Sequence, residues 1–160
     1  MERQPVADNF PKRFLFGGMS DKRKSLIVEV IALLFEILFL YTGVAKLMDY
    51  YTFESQLAES PVLEPVAPII AIGLPITEII VAIILFIPKW RLLGLNISAV
   101  LMVTFTLYIA IILMFSTELP CSCGGVLEEL SWPAHLIMNV VLIGLAWIGI
   151  KLQSSMINNQ

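Results

Sequence analysis

Charge is scarce in this chain. Ten Lys and Arg and thirteen Asp and Glu make up 14% of its 160 residues, where a soluble domain averages about 25%. With a net charge of −3 and so few cations, it has no electrostatic footprint for nucleic acid. Metal-ligating residues are scarce too. There are two cysteines and one histidine, and a zinc site wants four ligands, or three and a water. A resident metal is therefore not expected. Low-complexity segments and internal sequence repeats are absent. What remains is apolar: 58% of the residues are hydrophobic, too many for a soluble core of this size. The excess points to a lipid bilayer.

Four apolar runs carry that excess, at about 26–47, 66–87, 92–115 and 133–151. About 20 residues at 1.5 Å rise cross the hydrocarbon core, so each run is long enough. A backbone inside lipid must satisfy its own hydrogen bonds, which makes runs of this length helices. The expected fold is an all-α membrane protein, a four-transmembrane-helix bundle. Residues 1–24 form an N-terminal tail, 25–151 the membrane domain and 152–160 a C-terminal tail. The first run is too long for the apolar core of a cleaved leader and lacks a small-residue cleavage site.

Lys and Arg set the orientation. Arg3, Lys12, Arg13, Lys22, Arg23 and Lys24 precede the first run, Lys89 and Arg91 lie between the second and third, and Lys151 follows the fourth. With four spans these share one side, which the positive-inside rule assigns to the cytoplasm with both termini. Met48–Pro65 and Ser116–Trp132 are then outward loops. Lys46 is the one cation at the far end, expected to snorkel to water, to pair with an outer-loop acid or to bind an anion.

Two acids fall inside the spans. Glu36 and Glu78 each lie about 14–15 Å from the cytoplasmic ends of their helices. A charge at that depth is costly, so both are expected to face the interior and find partners. The carboxyls could share a proton, sit neutral against Thr77, Thr104, Tyr108 or Asn139, or serve a proton relay or ligand. Glu29, Glu36 and Gly43 share a helix face, and Gly43 permits close helix approach. Pro75 precedes Glu78 by three residues and marks either a packing kink or an opened polar pocket.

Both cysteines sit in "PCSCGGVLEE", Pro120 to Glu129. On the outward side a disulfide can persist. Cys121 and Cys123 can form one, but so small a ring adds little loop-closure stability. Strained, exposed bridges tend to be the labile, reactive ones. A redox-active pair, with Cys121 and Cys123 as the reacting groups, is the leading reading over a passive pair or a metal site. His135, twelve residues on, is an interfacial imidazole, a group that tunes the thiols, or a hydrogen-bond donor to a quinone carbonyl.

"YTGVAKLMDYYTFESQLAES" (Tyr41–Ser60) resembles the first-helix exit of DoxX-like membrane proteins, with Gly43 and Lys46 as its Gly-x-x-Lys element. "LPITEIIVAIILFIP" (Leu74–Pro88) is similar to their second helix, with Glu78 as the acid. "CSCGG" before a last helix resembles the methylamine-utilisation MauE branch. The resemblance spans about Val28 to Ile150 and implies a redox-associated bacterial inner-membrane protein. It implies a link to maturation of a disulfide-rich periplasmic enzyme subunit, with a thioredoxin-like or disulfide-containing periplasmic partner. The similar four-helix proteins that pass electrons from thiols to quinone carry a second cysteine pair, which this chain lacks. That departure leaves the second pair to a separate thioredoxin-like partner; quinone is the one cofactor candidate, with Cys121 and Cys123 catalytic and His135, Lys46, Glu78 and Glu36 supporting. A non-enzymatic assembly subunit of a membrane complex and a small proton-coupled carrier are the alternatives.

Overall fold

The computed structural model describes residues 20–60, 63–115 and 132–158. Among these the regular structure is all helix: α1 (Asp21–Met48), α2 (Tyr50–Ala58), α3 (Ala67–Phe86), α4 (Arg91–Phe115) and α5 (Trp132–Ile157), with short 3₁₀ turns before α3 and α4. α1, α3, α4 and α5 are each long and apolar enough to cross a membrane. Around the bundle α1 packs on α3, α3 on α4, α4 on α5 and α5 back on α1. The contacts between neighbours run antiparallel: Gly43 meets the Pro75–Ile79 turn, Gly94 meets Leu85, and Gly149 lies between Ile31 and Leu95. The start of α1 and the end of α5 therefore share one end of the bundle. Lys22, Arg23, Lys24, Lys89, Arg91 and Lys151 cluster at that end.

The surface explains why this bundle needs lipid. Leu33, Ile37, Ile69 and Phe86 are 52%, 60%, 73% and 74% exposed. A helix that is apolar all round belongs in a membrane or a deep core, and no described residue covers these faces. Inside, Val28, Ile31, Phe35, Phe39, Val81, Leu85, Leu95 and Leu142 pack in one cluster.

Local chemistry sets the boundaries. Asp21 in the first turn of α1 complements the helix dipole, and the Arg23 and Lys24 amides bond the Ser20 carbonyl at 2.9 and 3.1 Å. Pro65 sits in the 3₁₀ turn ahead of α3 and Pro88 in the one ahead of α4, where missing N–H groups cost nothing.

The stretch 48–65, expected as a loop, contains α2. Phe53 and Leu57, one helical turn apart, are buried against Ala67 and Ala71 of α3. The alanines leave room for these larger side chains, so a nine-residue helix too short to persist alone is held by tertiary packing.

Candidate functional site

The inward stripes of α1 and α5 pass from mainly apolar toward the basic end to polar at the other. On α1 the buried stripe runs Val28, Ala32, Phe35, Phe39, then Thr42 and Lys46. On α5 it runs Ala146 and Leu142 back to Asn139 and His135, which are 3% and 7% exposed. On α3 Glu78 is 1% exposed. These polar ends converge.

Lys46 Nζ lies 2.5 Å from Glu78 Oε1. The Thr42 hydroxyl is 2.9 Å from the Leu38 carbonyl and 3.3 Å from Glu78 Oε2, so its single proton can serve one at a time. The Phe53 and Phe105 rings have centroids 5.5 and 5.8 Å from Nζ, distances at which a ring face attracts a cation. Glu78 is eleven residues into α3, or about 16 Å from its start, so the ion pair lies within the span.

Lys46 therefore does not snorkel. Helical side chains lean toward the N-terminus, and at the C-terminal end of α1 that lean carries the amine inward. Its partner is an intramembrane acid, not one of the outer loop. Glu36 and Glu78 do not face each other. Glu36 is half-buried and, among the described residues, makes no hydrogen bond or ion pair. Two of the four expected neutral partners of Glu78 are engaged elsewhere: Thr77 donates to the Gly73 carbonyl at 2.7 Å and Thr104 to that of Val100 at 2.9 Å. His135, in the first turn of α5, is buried against the protein interior. Pro75 is buried at the contact with Gly43, and Leu74 and Glu78 beside it line a cavity.

That cavity has a volume of about 320 Å³ and is bounded by all four spans and α2. Its polar wall is Thr42, Lys46, Glu78, His135 and Asn139, with Thr104 and Tyr108 from α4; the rest is apolar. α2 closes it through Phe53 and Leu57. Asn139, which sequence reasoning named only as a neighbour for the acids, is a wall residue whose amide nitrogen has no partner among the described residues. His135 makes no hydrogen bond among the described residues. Both continue an inward stripe at intervals of four and three, and that spacing was the signal available for them.

Glu36 and Glu78 differ in environment, and their variants should differ accordingly. Glu36→Gln is expected to change stability by less than about 0.5 kcal/mol, the usual range for a side chain without a specific partner. Denaturant titration of the detergent-solubilised protein measures this.

Cys121 and Cys123 lie outside the described residues. In the chain they belong to the segment joining α4 to α5, whose flanking helix ends are at the cavity end of the bundle. No cluster of three or more His, Cys, Asp or Glu suited to a metal occurs among the described residues.

Residues 24–152 match the family model described as methylamine utilisation protein MauE. No curated protein and no solved structure matches the chain.

Proposed function

Because the chain belongs to the methylamine utilisation protein MauE family, a family of bacterial membrane proteins, we propose that it acts as a membrane thiol–disulfide protein in maturation of an extracytoplasmic partner. The observation that carries this reading is the meeting of two features at one end of the bundle. The cavity with its buried polar wall is lined by α1 between Leu38 and Lys46, α4 between Leu101 and Ile109 and α5 between His135 and Leu142, and the Cys121–Ser122–Cys123 segment joins α4 to α5 in the chain. The cations clustered at the opposite end support placing that end, with both termini, in the cytoplasm. Cys121 and Cys123 then face the periplasm.

In the proposed reaction a partner thiolate attacks the Cys121–Cys123 disulfide. A mixed disulfide forms as one cysteine leaves as thiolate. The partner's second thiolate displaces the other sulfur. The partner gains a disulfide, and Cys121 and Cys123 hold the two electrons as a dithiol. A membrane quinone reoxidises the pair, taking up two electrons and two protons. The partner class is a periplasmic protein, thioredoxin-like or itself rich in disulfides.

Thiol trapping in cells tests this. The wild type should show a reversible intramolecular disulfide, lost on reduction. Cys121→Ser or Cys123→Ser should each accumulate a covalent, reductant-sensitive adduct with a periplasmic protein and lose partner maturation. Full maturation in the double variant would overturn the reading and leave an assembly subunit.

A further inference from the structure

We propose that the cavity is a binding site for a neutral, lipid-soluble carbonyl compound, a quinone whose ring lies within the bundle. The proposal rests on the thiol–disulfide reading for its electron source and on the cavity alone for its ligand chemistry.

Charge narrows the ligand first. The one cation in the wall, Lys46, is already neutralised by Glu78 at 2.5 Å, with both groups at least nine-tenths buried. An anionic head would have to displace Glu78 and a cationic head Lys46. Either leaves a buried charge unpaired, which is strongly unfavourable. A neutral head disturbs neither.

Hydrogen bonding narrows it further. Asn139 is 3% exposed and its Nδ2 has no acceptor among the described residues. His135 is 7% exposed, lines the same cavity and has no hydrogen-bond partner among the described residues. An N–H without an acceptor is costly in a dry site, and a carbonyl oxygen supplies what the amide lacks. The two residues are one helical turn apart on α5, so their polar groups can reach one head group.

Shape and access agree. Phe53, Phe105 and Tyr108 are aromatic walls suited to a flat ring. A volume of about 320 Å³ is at the small end of ligand sites, enough for a substituted ring but not a long tail. Thr104, midway along α4, lines the cavity and is exposed, so a tail can pass out toward lipid. In the reaction each thiol of Cys121 and Cys123 gives up one electron and one proton as the S–S bond forms. The two quinone carbonyls become hydroxyls with those two electrons and two protons.

The test uses the full chain in phosphatidylcholine nanodiscs, titrated with ubiquinone-1. Saturable binding, one per chain, is expected. Asn139→Leu should weaken it about tenfold, the scale of one lost hydrogen bond in a dry site. It removes an unsatisfied amide and keeps the volume, so the fold should hold, and a melting curve checks this. His135→Phe should weaken binding similarly, and oleate should not compete. Cys121→Ser/Cys123→Ser should bind as the wild type does. Non-saturable uptake, undiminished binding in a folded Asn139→Leu protein, or competition by oleate would each overturn the proposal. Saturable binding with inert cysteines would sink the thiol reading and keep the site. Cycling cysteines without binding would do the reverse.

Discussion

Lys46→Met is expected to destabilise the protein by about 3–5 kcal/mol, and Glu78→Leu by a similar amount, while the double variant regains most of the loss. The asymmetry follows from where the pair sits. Both side chains are at least nine-tenths buried, so each has given up its hydration and relies on the other. Removing the amine leaves a carboxylate with, among the described residues, only the Thr42 hydroxyl within hydrogen-bond reach, at 3.3 Å. Removing the carboxylate leaves an ammonium against the Phe53 and Phe105 rings. Neither remainder compensates a unit charge within a membrane span. Taking both away removes the desolvation cost with the attraction, and apolar replacements of similar volume fill the space. A double-mutant cycle by denaturant titration in mixed micelles measures the coupling, expected at about 5 kcal/mol or more because the two single losses sum to about 6–10 kcal/mol and the double variant keeps little of either. Singles that cost less than about 1 kcal/mol would mean that water reaches the pair. An ion pair that adds little net stability and yet occupies the cavity wall is better explained by the ligand chemistry it enforces than by the fold.

The four spans were readable because lipid leaves a long apolar run one solution. The ion pair was not, because depth was judged from Cα positions. Lys46 counted along α1 belongs near the interface. Counted as the next member of Val28, Ala32, Phe35, Phe39 and Thr42, it belongs inside. The stripe was the better guide, since it encodes direction as well as height. The same holds for His135, whose place beside a flanking tryptophan suggested an interfacial ring. Its spacing from Asn139, Leu142 and Ala146 puts it in the wall. Glu36 and Glu78 looked alike by depth, and only the packing partners of α1 and α3 separate them. α2 was hidden for another reason. Two apolar residues at a spacing of four are a faint signal within an acidic stretch, and what holds them is the pair of alanines on α3. The cysteines remain a chemical reading of a short motif, since nothing in a one-residue spacing says what lies opposite.

Gly43→Leu should have the second large effect, because the site depends on how closely α1 and α3 approach. A Cβ at Gly43 would stand 3.0 Å from the Pro75 carbonyl oxygen and 3.0 Å from Ile79 Cγ1. Ile79 can turn aside, but the Pro75 oxygen is backbone, so the helices must separate. Gly43→Ala is expected to cost about 1–3 kcal/mol, the usual penalty for overpacking, and Gly43→Leu more. Gly144 supplies the opposite sign: nothing lies within 4 Å of its Cβ position, and alanine there should stabilise by about 0.5–1 kcal/mol. Thermal unfolding in detergent reads both. A general intolerance of substitution would make both variants unstable, whereas close approach predicts that only Gly43 suffers. The functional consequence is local, since Lys46 follows Gly43 by three residues, just under one turn, and reaches back to Glu78 across this contact. In the Gly43→Ala background the Lys46–Glu78 coupling should fall, because a wider gap lengthens the bond and admits water. Preserved coupling there would show that the pair is held by Phe53 and α2 instead.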